Sequence, residues 1–304
     1  MSTDRLIDAI LQKKNPTVLG LDPQPSHLPP EFLQEAAEEY GETLEALAIA
    51  AVRVNEVLID ALHDIVPAVK LQLACYEQLG PAGMVVFAET AELAKAHGLY
   101  VIADGKRGDI GSTSEAYSAA YLGGVQFGDK FLTVYDTDAL TVNPYLGSDN
   151  LEPFIKDCER HDKMLFVLCK TSNPSSREVQ ELPAGDRVLY KVIAEQISRA
   201  GAKLVGSYGY SAIGIVAGAT QPSAMRVLRE RHPGLFFLVP GYGAQGGNAE
   251  DIAYSFDKYG RGAIVNNSRG ITCAWQKSGD PLPDAARRAA IDMRNDLQKH
   301  IIMV

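Results

Sequence analysis

Asp104-Gly105-Lys106-Arg107-Gly108-Asp109 sets two carboxylates around one lysine, directly after the apolar run Leu99-Tyr100-Val101-Ile102-Ala103, which reads as a buried strand. In an eight-stranded α/β barrel the carboxyl ends of the strands build the catalytic face, so charges there have a mechanistic reading that surface charges lack. Other strand ends supply Asp22, just after one apolar run, and Lys70, inside another. Buried like charges repel and a lone buried charge is costly, so a site that keeps several groups ionised must interleave the signs. Lys70, Asp104, Lys106 and Asp109 make such a set. For any single member, a salt bridge bracing the barrel mouth is an equally good reading of the residue type.

Two glycine-bearing stretches follow the last apolar runs: Pro240-Gly241-Tyr242-Gly243-Ala244-Gln245-Gly246-Gly247 and Asn266-Asn267-Ser268-Arg269-Gly270. In barrels the loops after the seventh and eighth strands commonly hold phosphate. Glycine lets backbone N–H groups approach an anion, a helix N-terminus adds its dipole, and Arg269 offers a two-pronged contact. A third loop, Cys169-Lys170-Thr171-Ser172-Asn173-Pro174-Ser175-Ser176, runs on through polar residues to about Arg187. A loop of this length is a lid or disordered. Thr171 and Ser172 could read the edge of a heterocycle there, or make a hydroxyl-rich turn into a helix.

Something must bring these loops to one place. Apolar runs bounded by turn signals recur at Thr17–Asp22, Ala68–Gln72, Leu99–Lys106, Ala139–Pro144, Leu165–Lys170, Gly214–Thr220, Leu235–Gly241 and Gly262–Asn267. Several, such as Leu165-Phe166-Val167-Leu168, are continuously apolar, as strands covered on both faces must be. Between them, Leu44–His63, Ala82–His97, Asp186–Arg199 and Ser223–Arg231 space apolar residues at helical intervals. The pattern predicts an α/β fold, a (β/α)8 TIM barrel in a single domain over residues 1–304, in preference to an open doubly wound sheet. A helix before Thr17 would close the barrel floor, and Asp284–Ile301 would pack back as the last helix.

The chain has 304 residues, 46% apolar and 22% charged, enough apolar side chain for a substantial core. Its formal net charge of −9 argues against a nucleic-acid surface while leaving room for a local cationic pocket. No stretch approaches eighteen uninterrupted apolar residues and acids interrupt the N-terminal apolar stretch, so neither membrane insertion nor secretion is expected. Cys75, Cys158, Cys169 and Cys273 lack CxxC spacing and read as reduced thiols of a cytoplasmic protein. The histidines are scattered singly, and no metal site is expected.

Taken with Gly20-Leu21-Asp22-Pro23 and the continuation Asp109-Ile110-Gly111-Ser112-Thr113, these motifs resemble those of the orotidine 5′-phosphate decarboxylase family, in its longer-branch form. The resemblance implies decarboxylation of orotidine 5′-monophosphate to UMP and CO2, the last step of de novo UMP biosynthesis, without metal or organic cofactor. Carried over residue by residue, it makes Lys70, Asp104, Lys106 and Asp109 the catalytic network, with Lys106 delivering a proton to C6. Asp22 and Lys70 would hold the ribose hydroxyls, Ser172 and Thr171 the pyrimidine, and Gln245 and Arg269 the phosphate. Gln72 stands where the longer branch can carry a ribose-contacting amide. A homodimer with shared active sites is also implied, with Asp109, Ile110 and Thr113 reaching into the partner's site.

The residue types suit that chemistry on their own terms. Loss of CO2 from C6 of orotate leaves an in-plane carbanion with no adjacent π system, a difficulty many decarboxylases meet with an electron-sink cofactor. Without one, fixed charges in a closed site must do the stabilising, and an ammonium at C6 can both stabilise and protonate the carbanion. Two rivals remain distinguishable. Metal-dependent sugar-phosphate decarboxylases or aldolases of the same suprafamily place an acid where Lys70 stands, and a lysine there opposes a divalent cation. The other is a nucleotide-binding barrel without turnover, since fold does not fix function.

Overall fold

The structure, a computed structural model, describes residues 1–243 and 246–303. Eight strands close into a barrel: β1 (Thr17–Leu21), β2 (Ala68–Gln72), β3 (Tyr100–Arg107), β4 (Ala139–Val142), β5 (Met164–Lys170), β6 (Ile213–Ala217), β7 (Phe237–Pro240) and β8 (Ala263–Asn267). All neighbours pair in parallel, and β8 returns to β1 through Thr17 opposite Val265. Every apolar run singled out in the sequence is one of these strands.

Strand alternation divides the core in two. Val18, Ala68, Tyr100, Ile102, Ala139, Phe166, Phe236 and Ile264 point inward and pack as one cluster. The helix Ser2–Lys13 closes the floor of that cluster with Leu6, Ile7 and Ile10, all buried, as its position before β1 suggested. The intervening strand residues, including Val69, Leu71, Val101 and Val167, face outward against the helical shell. That shell includes Leu44–Leu62, whose first turn is capped by Thr43 accepting from the Ala46 N–H at 3.1 Å, and Leu282–Leu297.

Two differences from the sequence reading bear on the loops at the carboxyl end of the barrel. β6 stops at Ala217 rather than Thr220, where the Gly218 N–H turns to the Lys170 carbonyl at 2.7 Å and the register with β5 shifts. The helix expected from Asp186 begins at Leu189, because Arg187–Val188 pairs back on Pro183–Ala184 as a small hairpin around Gly185, which has φ +69°. The polar stretch after β5 therefore contains local structure, including the helix Arg177–Gln180, rather than running as an unstructured loop. A second hairpin, Val125–Phe127 with Lys130–Leu132, lies outside the eight-strand pattern near the amino ends of the strands, where Phe131 stacks on His161 at 5.2 Å. No helix among the described residues is long and apolar enough to cross a membrane.

Candidate active site

At the carboxyl end of the barrel the inward positions change character. Below, they carry Val18, Ala68, Tyr100 and Ala139; one to three steps of period two higher, they carry Asp22, Lys70, Gln72, Asp104, Lys106 and Thr141. These residues line one side of a cavity of about 470 Å³, and Leu168, Val216 and Leu238 from β5, β6 and β7 make an apolar wall within it. The site is thus polarised: charge comes from the ends of β1 to β3, a hydroxyl from β4, and hydrocarbon from β5 to β7.

Asp104 is the hub. Its Oδ2 accepts from Lys70 Nζ at 2.8 Å and Gln72 Nε2 at 2.9 Å. Its Oδ1 accepts from Lys106 Nζ at 2.7 Å and Thr141 Oγ1 at 2.8 Å. Each carboxylate oxygen therefore holds one ammonium and one neutral donor. Asp22 Oδ1 stands 3.8 Å from Lys70 Nζ, on the far side of that lysine. Burial alone would raise the Asp104 carboxyl, but the charges of Lys70 and Lys106 and their hydrogen bonds outweigh it and hold the pKa well below the usual carboxylate range. Burial likewise disfavours the Lys70 ammonium, and the carboxylates of Asp104 and Asp22 reverse that, leaving its pKa above the ordinary value. Both groups are ionised at neutral pH.

Lys106 reaches this position through a break in the sheet. β3 and β4 pair Ala103 with Leu140 and then Arg107 with Val142, so Asp104, Gly105 and Lys106 stand opposite Thr141 alone. Such a bulge re-aims side chains. Lys106 takes the left-handed backbone conformation, with φ 48°, which is unusual for a residue other than glycine. A different close approach is made at Gly20, where a Cβ would lie 1.9 Å from Ser268 Oγ and 2.9 Å from Asn266 Oδ1. Glycine there lets β8 bring Asn266 and Ser268 to the cavity wall beside Asp22.

The other residues singled out in the sequence are distributed unevenly. Thr171 and Ser172 line the cavity; the Thr171 N–H donates to Gln180 Oε1 at 2.9 Å, and the Ser172 carbonyl accepts from Thr220 Oγ1 at 2.8 Å. Lys170, just before them, is buried, and its Nζ contacts Glu181 Oε1 at 2.9 Å and Ser176 Oγ at 3.0 Å, pinning the loop to the end of β5. Arg269 is exposed at the start of the short helix Arg269–Thr272 and lines both the cavity and a wider groove along the last helix. Gln245 lies outside the described residues.

Asp109 and Thr113 are not part of the cluster within one chain. The Asp109 backbone N–H donates to Asn150 Oδ1 at 3.0 Å, and its carboxylate accepts from the Ile110 N–H at 2.8 Å. Thr113 is exposed on the first turn of the helix Gly111–Tyr121. The fourth charged member in a single chain is Asp22 instead of Asp109, because β3 ends at Arg107 and the turn after it carries Asp109 away from the barrel axis. Thr141 and Asn266 went unassigned in the sequence reading. Both occupy inward positions near strand ends, a signal of period and location rather than of residue type.

Two cavity-lining oxygens, Asp22 Oδ1 and Asn266 Oδ1, have no hydrogen-bond partner among the described residues. With two lysines and two aspartates in one chain of contacts, a wall of hydrocarbon and Arg269 at the far rim, the cavity suits a polar, anionic ligand with an apolar face.

Comparison with known proteins gives a consistent picture. The family model described as orotidine 5′-phosphate decarboxylase / HUMPS family matches residues 19–283. An orotidine 5′-phosphate decarboxylase of Caldicellulosiruptor bescii is 42% identical over 274 residues, covering 90% of this chain and 90% of the relative. The enzyme of that name from Rhodopirellula baltica is 41% identical over 297 residues, covering 95% and 96%. Among solved structures, the OMP decarboxylase of Leishmania donovani superposes with a TM-score of 0.73 at 31% identity, covering 98% of both chains.

Proposed function

The chain belongs to the orotidine 5′-phosphate decarboxylase family, and from that premise we propose how its residues carry out the reaction. It is a carboxy-lyase that converts orotidine 5′-monophosphate to UMP and CO2 in pyrimidine biosynthesis. In the proposed mechanism the C6–carboxylate bond breaks, CO2 leaves, and the electron pair left on C6 takes a proton from Lys106 Nζ. The observation that carries this reading is the Lys70–Asp104–Lys106 chain, with contacts of 2.8 and 2.7 Å, at the mouth of the barrel. An ammonium held in place before reaction stabilises negative charge as it develops, with no reorganisation at the moment of bond breaking. The apolar wall of Leu168, Val216 and Leu238 favours neutral CO2 over a carboxylate.

No metal or organic cofactor takes part in this reading. Asp22 and Asp104, the carboxylates best placed to hold a divalent cation, already share the Lys70 ammonium at 3.8 and 2.8 Å, and a lysine between them opposes a second cation. Asp22, Lys70 and Gln72 hold the ribose hydroxyls, Thr171 and Ser172 the pyrimidine, and Arg269, with Gln245, the phosphate. Gripping the phosphate at a distance from C6 supplies binding energy that can be used for closure over the base.

The working unit is a homodimer with shared sites. Asp109 and Thr113 lie outside the single-chain cavity, while Ile110 is 58% exposed and Tyr145, after β4, is 81% exposed. Asn150 ties the two loops together, accepting from the Asp109 N–H at 3.0 Å and donating to the Asn143 carbonyl at 2.7 Å. This apolar rim suits a second copy that receives Asp109 and Thr113. Four free, buried cysteines among the described residues suit a reducing, cytoplasmic setting.

The test is loss of orotidine 5′-monophosphate absorbance with EDTA-treated protein, followed alongside UMP formation. Conversion without added metal supports the mechanism. Folded protein that turns over only when Mg²⁺ is restored would overturn the metal-free reading.

A further inference from the structure

Thr141 carries no charge and is 1% exposed, yet it stands where β3 leaves the sheet register, opposite Asp104, Gly105 and Lys106. Its hydroxyl is used in both directions. Oγ1 accepts from the Lys106 backbone N–H at 2.9 Å and donates to Asp104 Oδ1 at 2.8 Å. That same Oδ1 receives Lys106 Nζ at 2.7 Å. One buried oxygen thus fixes both ends of Lys106: the backbone, which sits at φ 48°, and the carboxylate that aims the ammonium.

In a continuous ladder a carbonyl of β4 would take the Lys106 N–H. At the break the Thr141 side chain takes it, and regular contact resumes when the Asn143 N–H reaches the Arg107 carbonyl at 2.7 Å. Valine has the shape of threonine but can neither accept nor donate. It would leave a buried N–H and one lone pair of Asp104 without their partner, and the strained backbone of Lys106 without its tether. Serine keeps both hydrogen bonds.

We propose that Thr141 is a positioning residue for the reaction: its hydroxyl sets the direction of the Lys106 ammonium through Asp104 and the Lys106 backbone, and so controls turnover more than substrate affinity. This rests on the assignment of Lys106 as proton donor. Misplacing a reacting group by a fraction of its contact distance is enough to cost orders of magnitude in rate.

The experiment compares Thr141→Val, Thr141→Ser, Lys106→Ala and the wild type for kcat and KM on orotidine 5′-monophosphate, with UMP binding as the check on folding. Thr141→Val is expected to lose about 10- to 100-fold in kcat with KM and UMP affinity nearly unchanged, and Thr141→Ser to stay within about threefold of wild type. Three results would overturn the inference: a valine variant as active as the serine variant, a serine variant as impaired as valine, or a loss confined to KM. If the valine variant does not fold, Thr141→Ala takes its place under the same criteria. A Lys106→Ala enzyme as active as wild type removes both the proton-donor assignment and this inference. An inactive Lys106→Ala beside an unimpaired Thr141→Val removes this inference alone.

Discussion

Lys106 Nζ lies 2.7 Å from Oδ1 of Asp104, two residues earlier on the same strand. Residues two apart on a strand share a face, so proximity follows from the period. Their direct contact also depends on the left-handed backbone at Lys106, because a regular strand end would send the longer side chain up and away from Asp104. An ammonium in that contact is oriented before substrate arrives. Replacement of Lys106 by alanine should lower kcat by at least about 100-fold while UMP still binds, since positioned proton transfer and charge stabilisation are both lost. Steady-state kinetics with UMP titration reads this, and a variant that keeps more than about a tenth of wild-type kcat takes Lys106 out of the proton-transfer step.

Arg269 stands at the opposite rim, and among the described residues it has no ion-pair partner. Arg269→Ala should therefore raise KM by about 10- to 100-fold, the value of a charge-assisted hydrogen bond, without disturbing the core. Orotidine lacking the 5′-phosphate provides the control: wild type and variant should handle it alike. Unchanged nucleotide affinity in the variant would move the phosphate elsewhere.

Asp109 lies outside its own chain's cavity, so shared sites predict complementation. Lys106→Ala and Asp109→Ala dimers, each inactive, should recover activity when mixed, because a mixed dimer has one site with both native residues. Subunit exchange is followed independently by a fluorescent label. Verified exchange with no recovered turnover would contradict the shared site.

Asp104 also makes stability depend on pH in a defined direction. Its folded-state pKa lies below the ordinary 3.8, so its contribution is present above the unfolded value and is lost as pH falls through the folded one. Asp104→Asn leaves the Lys70 and Lys106 ammoniums without their common partner, and at neutral pH it should be less stable than wild type by about 3–5 kcal/mol. Below about pH 4 that difference should shrink, by up to about 1.4 kcal/mol per pH unit. Urea unfolding at neutral pH and near pH 3 measures both. A difference that stays constant or widens on acidification would show that the charge of Asp104 does not stabilise the fold.

The barrel was legible because its strands are buried on both faces. A run such as Leu165-Phe166-Val167-Leu168 suits a parallel strand covered on both faces, and all eight runs became barrel strands. Lys70, Asp104, Lys106 and Asp22 were legible for a related reason: charged residues at the carboxyl ends of such runs have to meet across the barrel. Asp109 resisted the same logic because a turn after Arg107, rather than the strand period, determines where it goes. Thr141 resisted because its partner Lys106 is 35 residues away along the chain, across a register break that the strand period does not announce.

By itself, then, the order of apolar and charged residues determined the number and sequence of strands, the end of the barrel where the chemistry gathers, and the signs of the charges there. Those properties follow from burial and strand period, which act locally and repeat. Tertiary structure decided which charges touch. It replaced Asp109 by Asp22 in the single-chain cluster, put two donors on each oxygen of Asp104, and drew Thr141 under Lys106. Hydrogen bonds are directional and act over about 3 Å, so they depend on where neighbouring strands stop and shift, which is known only once the sheet has closed.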